Sequence, residues 1–456
     1  MLGRTKKIHF VGIGGIGMSG IAEVLINLGF TVTGSDVKLS STTSRLKKIG
    51  ATIFEGHDPQ NVADADVVVY SSAVKRDNVE VKFADSVKIP VIRRAEMLGE
   101  LMRMKQSIAV AGTHGKTTTT SMIGLVLQKG GIDPTLIVGG KVRSLKTNAR
   151  LGSSDFMVVE ADEFDRSFLK LVPNLAVITN IESDHLDCYK DLEEIKKTFL
   201  EFANSVPFYG SIIFCLDEKA LQEIVPYFKR RIMTYGLNPQ AEVRAVDIET
   251  DKFNINFKVI WKDKVLGRIN VKLPGEHNVK NSLAAVATGL EFKISFKKIK
   301  EALEEFTGVH RRFEIKQDRD DILVVDDYAH HPTEIKATLR GTRKGFENRI
   351  IAVFQPHLYS RTRDFCQDFA QSFFDADILI VTDIYPAREK PIQGISGEIV
   401  AHEARRLGHK QVLYIKDKMD VVKELHKIVK KGDLVITIGA GDIWRTGDLF
   451  IQEFWQ

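Results

Sequence analysis

The stretch that most constrains the fold of this chain is Ile108 to Thr120, IAVAGTHGKTTTT. Four apolar residues, Ile108 to Ala111, predict a buried parallel strand, and Lys116 with four threonines predicts the start of a helix. In such a strand, loop and helix, backbone N–H groups surround an anion, the Lys reaches the β/γ-phosphates, and the next hydroxyl, Thr117, ligates Mg²⁺. The stretch therefore predicts a nucleoside-triphosphate site in an α/β domain.

The loop departs from the general phosphate-loop pattern. That pattern places a glycine where this chain has Val110, and the glycine stands at Gly112 instead. The alternative, an ordinary strand-to-helix turn with a surface Lys, leaves the threonines unexplained, because Thr is a poor helix former. The residues that we expect to bind the triphosphate are Gly112, Thr113, His114, Gly115, Lys116, Thr117 and Thr118.

Length and composition limit the class of protein. A chain of 456 residues is too long for one core and predicts about three domains. The net charge of +5 is spread along the chain, which disfavours a dedicated nucleic-acid surface and suits a polyanionic small substrate. Cys188, Cys215 and Cys366 form no CxxC, so neither a disulfide framework nor a metal site is predicted. Without a signal-peptide pattern or a membrane-length apolar run, we expect a cytoplasmic protein.

A second glycine-rich stretch follows a short apolar strand, Lys7 to Val11. Glycines at 12, 14 and 17, with Asp36 after the next strand, form the dinucleotide fingerprint: a tight turn, close approach of backbone to a pyrophosphate, and a carboxylate for a ribose hydroxyl. Taken alone, the fingerprint predicts NAD, and the alternative is a purely structural glycine turn. In the first case a pyrophosphate lies at a helix N-terminus.

A further apolar strand, Asp66 to Tyr70, ends in Ser71 and Ser72. Small hydroxyl residues at the carboxyl end of a parallel strand lie where open α/β sheets bind ligands. They serve equally well as helix caps, so both interpretations stay open. The segment Arg94 to Lys105 predicts a helix, and a domain boundary is expected near residue 104.

Acidic residues follow the next apolar strand, within Asp155 to Glu163. In triphosphatases a carboxylate at this point completes the Mg²⁺ shell, and Glu160 is the preferred ligand. Another strand, Leu175 to Thr179, ends in a polar cluster that contains Asn180 and His185. Among carboxylates, His185 is a candidate ligand of a second metal or a phosphate contact.

Residues 253 to 273 alternate between apolar and polar and predict a half-exposed antiparallel hairpin at the edge of the central domain. An Ala-rich helix follows, on which Asn278 and Asn281 are three residues apart. Their amides could face a purine edge, and helix capping explains Asn278 equally well. After the pair Arg311 and Arg312, a candidate anion site, a further α/β set of five strands is expected, over residues 322–325, 350–354, 378–381, 412–415 and 434–438.

Taken together, these clusters resemble the ATP-dependent Mur ligases of peptidoglycan synthesis. The resemblance runs through nearly the whole chain and rests on GIGGIGMSGIAEVL, SSA, AGTHGKTTTT, EADEFDRSFL, TNIESDHLDCY, LPGEHNVKNSLAA, TGVHRRFE, DDYAHHPTE, QPHLYSRT and IGAGD. The GTHGKTT form of the loop is typical of this family. DDYAHHPTE followed by QPH is typical of its alanine-adding branch.

The resemblance implies an α/β protein of three domains: a Rossmann-like N-terminal domain, a central P-loop ATPase-like α/β domain with a small antiparallel sheet, and a Rossmann-like C-terminal domain. Residues 1–104 would bind a UDP-sugar, residues 105–309 ATP, and residues 310–456 the amino acid. The N-terminal fingerprint would thus hold a UDP diphosphate instead of NAD.

The implied activity is the ATP-dependent joining of L-alanine to the lactyl carboxylate of UDP-N-acetylmuramate. The carboxylate would first be phosphorylated to an acyl phosphate, which alanine's amine then attacks. ATP and two Mg²⁺ ions, with Mn²⁺ as a substitute, are the implied cofactors. The implied partners are these small molecules alone, without nucleic acid or membrane, and the expected state is a monomer or weak homodimer.

The resemblance also implies roles for individual residues. The UDP-sugar would contact Gly14, Gly15, Ile16, Gly17, Asp36, Ser71, Ser72 and Asn180. Lys116, Glu160 and His185 would be catalytic, and the metal ligands would be Thr117, Glu160 and His185. Beyond the phosphate loop, ATP would contact Asn278, Asn281, Arg312 and Asp327, and the amino acid would contact His330, His331, His357 and Arg361.

Two departures from the family pattern matter. Later ligases carry a carbamylated Lys where this chain has Phe199, and we expect no carbamate here because Lys196 and Lys197 should face solvent. Leu358 and Ser360 stand where the alanine-adding branch often has Arg and Thr, and Asp442 stands where it often has Asn. These differences concern amino-acid contacts more than nucleotide contacts.

Three alternatives remain at this point. A peptide-recycling ligase would join the same UDP-sugar to a preformed tripeptide and shares nearly every motif. A folylpolyglutamate synthase-like enzyme would leave the glycine-rich first domain without a ligand. A nucleotide-gated UDP-sugar sensor without catalysis would have no need of the acids and His at Glu160, Asp184 and His185.

Overall fold

The computed structural model describes residues 2–71, 73–143, 147–184, 188–387 and 389–455. Its strands form three sheets, of five, ten and six strands, in agreement with the expected three-domain α/β architecture. By internal contacts the chain divides into two compact units. The first unit comprises Met1–Val246, Lys258–Ile269 and Lys280–Thr307, and the second comprises Asp247–Phe257, Asn270–Val279 and Gly308–Gln456. The boundaries at residues 104 and 309 stay predictions.

The five-stranded sheet is parallel throughout and has the strand order β3-β2-β1-β4-β5 of a Rossmann-like domain. Its elements are β1 (Lys7–Val11), α1 (Ile16–Asn27), β2 (Thr31–Asp36), α2 (Ser41–Lys48), β3 (Thr52–Glu55), β4 (Val67–Tyr70), α3 (Val79–Ser86), β5 (Val91–Arg93) and α4 (Arg94–Arg103). Asn78 is the N-cap of α3, so Ser71 does not cap that helix, and Ser72 lies outside the described residues.

The ten-stranded sheet carries the central motif. Its elements are β6 (Gln106–Ala111), α5 (Lys116–Gly130), β7 (Thr135–Val142), β8 (Thr147–Arg150), β9 (Phe156–Glu160), β10 (Leu175–Ile178), α6 (Leu192–Asn204), β11 (Ser211–Cys215), α7 (Lys219–Ile224), β12 (Arg231–Gly236), β13 (Val243–Asp251), β14 (Asn254–Trp261), β15 (Lys264–Val271), α8 (Glu276–Glu291) and α9 (Phe296–Glu305). Because β10, β6 and β9 are parallel neighbours, their carboxyl ends bring the phosphate loop, the residues after β10 and Glu160 to one edge.

The predicted hairpin is present as β14 and β15, which are neighbours at one end of the sheet order. Side chains of β14 alternate between buried and half-buried, as the sequence pattern predicts. Lys262 and Asp263 connect the two strands with φ angles of 46° and 65°. A two-residue turn with positive φ at both positions matches the right-handed twist of the strands.

The six-stranded sheet has the order β16-β17-β21-β18-β19-β20. Its elements are β16 (Glu314–Arg319), β17 (Ile322–Asp327), α10 (Pro332–Gly345), β18 (Ile350–Phe354), α11 (Tyr359–Asp364), α12 (Cys366–Gln371), β19 (Ile378–Val381), α13 (Gly397–Arg406), β20 (Val412–Tyr414), α14 (Asp420–Ile428), β21 (Leu434–Ile438) and α15 (Trp444–Phe454). Alternate side chains of β17 and β19 enter different core clusters, so both faces are covered. The sequence pattern does not predict β16, a charged antiparallel strand at the sheet edge.

Helix α6 corrects one prediction. Phe199 is buried, and its ring meets that of Phe168 edge-on at 5.1 Å, as an apolar face requires. Lys197 is exposed, but Lys196 is only 7% exposed and forms ion pairs with Glu193 and Glu223. The prediction that Lys196 faces solvent is therefore wrong, because α7 brings Glu223 to its ammonium group.

Among the helices of the described ranges, none has the length and apolar character needed to cross a membrane.

Candidate active site

The phosphate loop joins β6 to α5 at residues 112–115 and depends on two glycines. Gly112 has φ +142°, and a Cβ there would lie 2.0 Å from Thr179 Oγ1. Gly115, the N-cap of α5, has φ +80°, in the left-handed region that favours glycine. The first turn of α5 holds buried Thr117 and Thr118. The strand, loop and helix predicted from the sequence are all present.

The residues after β10 hold the loop in shape. The Asn180 side chain accepts from His114 N at 2.7 Å and donates to His114 O at 3.2 Å, while Thr179 Oγ1 donates to the same carbonyl at 2.6 Å. The Thr113 hydroxyl accepts from Glu182 N at 2.9 Å. Asn180 thus supports the loop, and its contact with the UDP-sugar stays a prediction.

Lys116 folds over the loop. Its Nζ donates to the carbonyl oxygens of Gly112 and Thr113, at 2.5 and 3.1 Å, and to Glu163 at 2.8 Å. Burial lowers the pKa of Lys116, but the Glu163 and Asp162 carboxylates outweigh it and raise that pKa above its usual value. Glu163 is itself only 3% exposed. The lysine is therefore held as a cation in a largely buried site.

Glu163 is a functional candidate that the sequence prediction missed. The acidic run at the end of β9 predicts a ligand only at Glu160. Tyr189 OH donates to Glu163 O at 2.6 Å and so fixes the backbone at this residue. The sequence signal that could have indicated a partner for Lys116 is the pair of acids at positions 162 and 163, just after the strand that ends at Glu160.

Thr117 and Glu160 meet as predicted for a metal site. Thr117 Oγ1 donates to Glu160 Oε1 at 3.1 Å, and Gly139 N donates to Glu160 Oε2 at 2.7 Å. A hydroxyl and a carboxylate are the hard oxygen donors that Mg²⁺ prefers, so the residues fit this ion. His185, the third predicted ligand, lies outside the described residues.

The two asparagines of α8 have structural contacts. Asn281 Oδ1 accepts from Thr119 Oγ1 at 3.1 Å and would lie 2.6 Å from a Cβ on Gly115, so it packs against the loop. Asn278 Nδ2 donates to Pro274 O at 2.7 Å, at the start of the helix. Because α8 begins at Glu276, Asn278 is its third residue and not its N-cap, so the capping interpretation is wrong, whereas contact of either residue with adenine stays a prediction.

The glycine loop between β1 and α1 is held by the end of β2. Ser35 O accepts from Gly12 N and Ile13 N at 2.8 and 3.1 Å, and Asp36 Oδ2 accepts from Gly14 N at 2.8 Å. Gly15 is the N-cap of α1 without a side-chain cap, so the helix begins as an anion site requires.

Two neighbours complete the surroundings of this loop. A Cβ on Gly17 would lie 3.1 Å from the Arg94 side chain, and one on Gly12 would lie 3.4 Å from Ser71 Oγ. Ile16, at the start of the helix, is 49% exposed. Of the residues predicted to bind the UDP-sugar, Gly14, Gly15, Ile16, Gly17, Asp36 and Ser71 thus lie in or beside the loop.

A buried polar cluster lies beneath the end of β2. Glu80 is fully buried, accepts from Ser35 Oγ at 2.5 Å and from Asn61 Nδ2 at 2.7 Å, and lies 3.1 Å from His57 Nδ1. Burial raises the pKa of Glu80, but interactions with His9, Ser35 and Asn61 outweigh it and lower that pKa to about 2. Because Ser35 O supports the glycine loop, this cluster supports the loop indirectly.

In the second unit, the two arginines of the predicted anion site have different roles. Arg311 is buried and donates to Asp326 Oδ2 at 2.8 Å and to the carbonyls of Gly441 and Gly439 at 3.0 and 2.6 Å. All three guanidinium nitrogens of Arg311 thus donate to groups of the fold itself, so the prediction that Arg311 and Arg312 bind an anion as a pair is wrong for Arg311. Arg312 donates to Glu334 at 3.2 Å and lies over the Tyr328 ring.

The Asp327 carboxylate is held by two backbone N–H groups. Its carboxylate accepts from Phe313 N at 2.8 Å and from Ala329 N at 2.7 Å. Burial raises the pKa of Asp327 to about 6, although Arg312 opposes the shift. One oxygen therefore shapes the turn after β17 and the other holds the segment before β16, and a contact between Asp327 and ribose stays a prediction.

The four residues predicted to bind the amino-acid substrate fall into two groups. The His330 and His357 rings meet edge-on at 5.9 Å, and His357 stacks on Tyr385 at 5.8 Å, so these three residues form one aromatic cluster. His331 is the N-cap of α10 and packs against Phe365, and Arg361 is buried in α11. Tyr385 was not predicted and has no motif that indicates it.

The structure describes the three residues that differ from the alanine-adding branch, Leu358, Ser360 and Asp442. Ser360 donates from N and Oγ to Glu389 at 3.0 and 2.5 Å, and Asp442 accepts from Lys418 at 2.7 Å and from Gln355 at 3.2 Å. Leu358 precedes α11 with φ +70°, a strained conformation for a residue with a side chain. Such strain persists only where the surroundings enforce it, here beside His357.

Three family models match the chain: "Mur ligase family, catalytic domain" at residues 7–106, "Mur ligase middle domain" at 110–289, and "Mur ligase, glutamate ligase domain" at 311–441. A UDP-N-acetylmuramate–L-alanine ligase of Geotalea uraniireducens (strain Rf4) is 55% identical over 99% of both chains. One of Salinibacter ruber is 54% identical over 99% of this chain and 95% of that protein.

Solved structures are similar over the same length. The UDP-N-acetylmuramate-alanine ligase of Thermotoga maritima is 31% identical, with a TM-score of 0.84 over 98% of this chain and 99% of that chain. A murein peptide ligase of Psychrobacter arcticus 273-4 is 27% identical, with a TM-score of 0.72 over 98% of each chain.

Proposed function

This chain belongs to the Mur ligase family, and on that premise we propose that it joins L-alanine to the lactyl carboxylate of UDP-N-acetylmuramate at the expense of ATP. One observation carries the proposal: the proteins that match it from end to end at more than half of their positions bear the name of this activity. The phosphate loop, with Lys116 and the Thr117–Glu160 pair, supplies the chemistry that such a reaction needs.

The reaction has two steps. The muramate carboxylate attacks the γ-phosphorus of ATP, and the bond between that phosphorus and the bridging β-phosphate oxygen breaks. The products are ADP, which departs as the leaving group, and an acyl phosphate. Alanine's amine then attacks the acyl carbon, loses a proton, and expels inorganic phosphate. A carboxylate is a poor acylating agent, so ATP installs the leaving group. The protein's task is positioning and charge neutralisation.

Lys116 neutralises charge in the first step. Its Nζ already lies among the carbonyls of the loop, 2.8 Å from Glu163. Phosphate oxygens that enter the loop would take the place of the Glu163 carboxylate on this ammonium group. Because the site is buried, the interaction is stronger than it would be in water.

Thr117 and Glu160 would hold one Mg²⁺ ion, which supplies a charge clamp on the phosphates when it is bound. The Gly139 N–H keeps the Glu160 carboxylate turned toward Thr117. A second ion, with His185 as ligand and Mn²⁺ as a substitute, belongs to the same proposal.

The remaining assignments follow the same logic. The glycine loop, at Gly14 to Gly17 with Asp36 and Ser71 beside it, would take the UDP diphosphate. In the second unit, Arg312 would contact the nucleotide, and the cluster of His330 and His357 with Arg361 would take the amino acid. We further propose a cytoplasmic enzyme that acts as a monomer or weak homodimer, without nucleic-acid or membrane partners.

The test is phosphate release from ATP and Mg²⁺ in the presence of UDP-N-acetylmuramate. L-alanine is compared with other single amino acids and with the tripeptide L-Ala-γ-D-Glu-diaminopimelate. We expect release that requires both L-alanine and the UDP-sugar. Release with the tripeptide alone would move the chain to the recycling ligases, and no release with any acceptor would leave a binding protein.

A magnesium titration tests the metal ligands separately. With Glu160→Gln, the Mg²⁺ concentration needed for half-maximal rate should rise about 10- to 100-fold, since one charged ligand is lost. Glu55→Gln, an exposed change on β3, is the matched control. An unchanged Mg²⁺ requirement in Glu160→Gln would remove Glu160 from the metal site.

A further inference from the structure

Asn148 of β8 reaches the first turn of α1, the helix that begins at the glycine loop. It is 3% exposed, and its Nδ2 donates to the Ile16 carbonyl at 2.5 Å. Gly20, one turn further along α1, makes room for this amide. A Cβ on Gly20 would lie 2.8 Å from Asn148 Nδ2 and 3.3 Å from the Ala149 Cβ. Gly20 thus serves packing against β8, whereas the fingerprint glycines shape the loop.

The neighbouring residue strengthens the same contact. Thr147 Oγ1 donates to Glu23 Oε2 at 3.0 Å, and Glu23 lies on α1 and also pairs with Arg45 of α2. Arg45 Nη2 in turn donates to Asn148 Oδ1 at 3.4 Å. Two consecutive residues of β8 therefore hold the helix at its first and second turns.

The other strand of this hairpin contacts the phosphate-loop acid. In β7, Gly139 N donates to Glu160 Oε2, and a Cβ at this position would lie 2.8 Å from Glu160 Oε1. Strands β7 and β8 pair directly, with Ile137 opposite Ala149. One hairpin thus touches both the predicted metal ligand and the start of the UDP-sugar helix.

We propose that Asn148 is a positioning residue, which sets the diphosphate-binding end of α1 relative to the phosphate loop. The inference rests on the proposed function. In that reaction the diphosphate binds at the start of α1 while the muramate carboxylate reaches the phosphate loop, so a displaced helix start weakens the binding of the UDP-sugar. Asn148 makes no direct contact with substrate in this role and acts through the Ile16 carbonyl.

The first test is the steady-state kinetics of Asn148→Ala in the full-length enzyme. We expect the KM for UDP-N-acetylmuramate to rise about tenfold, the scale of one lost buried hydrogen bond, while the KM for ATP stays within about twofold. Asn27→Ala, at the exposed end of the same helix, is the matched control. If both KM values rise together, or neither changes, Asn148 has a structural role only and the proposal is wrong.

Gly20 supplies a second test, because the effect of Gly20→Ala on the KM for UDP-N-acetylmuramate should depend on whether Asn148 is present. In the wild-type background, Gly20→Ala should raise the KM for UDP-N-acetylmuramate, because its Cβ meets the Asn148 amide. In the Asn148→Ala background that contact is gone and only the approach to the Ala149 Cβ, at 3.3 Å, remains, so Gly20→Ala should raise this KM much less than in the wild-type background. Additive effects of the two changes would overturn the proposal.

Thr147→Val is a milder variant if Asn148→Ala does not fold. It removes the bond to Glu23 and should raise the KM for UDP-N-acetylmuramate about two- to threefold with the KM for ATP unchanged. No change in either KM would count against the proposal. A wild-type enzyme without phosphate release would refute the proposed function itself, whereas an active wild type with an unaffected Asn148→Ala would refute only this inference.

Discussion

The glycine loop at residues 12–17 and the phosphate loop at residues 112–117 have the same construction but carry charge differently. Each follows a buried parallel strand, opens a helix, and is held by the end of the neighbouring strand: Ser35 and Asp36 support the first, and Thr179 and Asn180 the second. In both, side chains and carbonyls from the neighbouring strand fix the loop before any ligand arrives.

The difference lies in the ionised groups. The phosphate loop contains its own cation, Lys116, which is neutralised by Glu163, and Thr117 shares a hydrogen bond with Glu160. The glycine loop has no cation of its own in residues 12–17, and its supporting group, Asp36, is an anion that occupies the Gly14 N–H. A cation does lie beside the glycine loop, but it comes from another element: the side chain of Arg94, on α4, approaches the loop at Gly17.

Under the proposed function, one backbone design serves two purposes. A loop that only binds a diphosphate needs helix N–H groups and a fixed shape. A loop that stabilises a transition state also needs a charge at the point where charge develops, held ready by a group that the substrate can replace. Under the proposed function Glu163 is that group, and at the glycine loop the nearby cation, Arg94, comes from α4 and lies 3.6 Å from Asp162.

The largest expected effect tests the cation of the phosphate loop. Lys116→Met should lower kcat/KM for ATP by about 10³-fold, because Lys116 is the lysine of the loop, which contains no arginine, and its ammonium group neutralises the γ-phosphate. Phosphate release measures this effect, and Lys129→Met, a half-exposed lysine of the same helix, is the control. A loss below about tenfold would show that the two loops do not differ in the way described.

The next effect concerns the support beneath the glycine loop. The folded-state pKa of Glu80, about 2, lies below its usual value of 4.5. Its ionised form therefore stabilises the fold above about pH 5, and this stability is lost as the pH falls from about 4.5 toward 2. Glu80→Gln should lower the free energy of unfolding by about 2 kcal/mol at pH 7, by a little under half as much at about pH 3, and by little near pH 2.

Urea unfolding at several pH values measures the contribution of Glu80, with Glu55→Gln as an exposed control. The difference between wild type and Glu80→Gln should shrink steadily below pH 4.5. A difference that is independent of pH would mean that lost packing, and not charge, accounts for the effect.

The smallest effect tests the anion of the glycine loop. Asp36→Ala removes the acceptor of Gly14 N and should raise the KM for UDP-N-acetylmuramate about tenfold, with the KM for ATP unchanged. Asp64→Ala, an exposed carboxylate of the same unit, is the control. A lower KM for the UDP-sugar would indicate that Asp36 competes with the diphosphate for the loop.

Much of the fold follows from short-range patterns. The strands at 7–11, 350–354, 378–381 and 434–438 have the predicted bounds, because continuous apolar runs bounded by turn residues are strong local signals. The charged edge strand β16 gives no such signal. For the site, Lys116, Thr117 and Glu160 come together as predicted, since each stands at a strand end or helix start.

Contacts between distant parts of the chain could not be predicted. Lys196 is buried because α7 brings Glu223 to it, and Asn180 is taken up by the phosphate loop. Arg311 and Arg312 are adjacent in sequence, yet Arg311 has αL backbone (φ +61°) and its side chain is directed to Asp326 and the Gly439 and Gly441 carbonyls. Their adjacency alone could not show that they have different roles.

The sequence by itself determined the two loops, their strands and helices, and the family to which the chain belongs, because these are local patterns of glycine, charge and hydrophobicity. Only the tertiary structure decided which partners each side chain takes. Lys116 meets Glu163 across 47 positions, and Asn148 meets Ile16 across 132. Such pairings depend on the order of the strands in a sheet and on how the helices pack against it. A short sequence pattern does not specify that order.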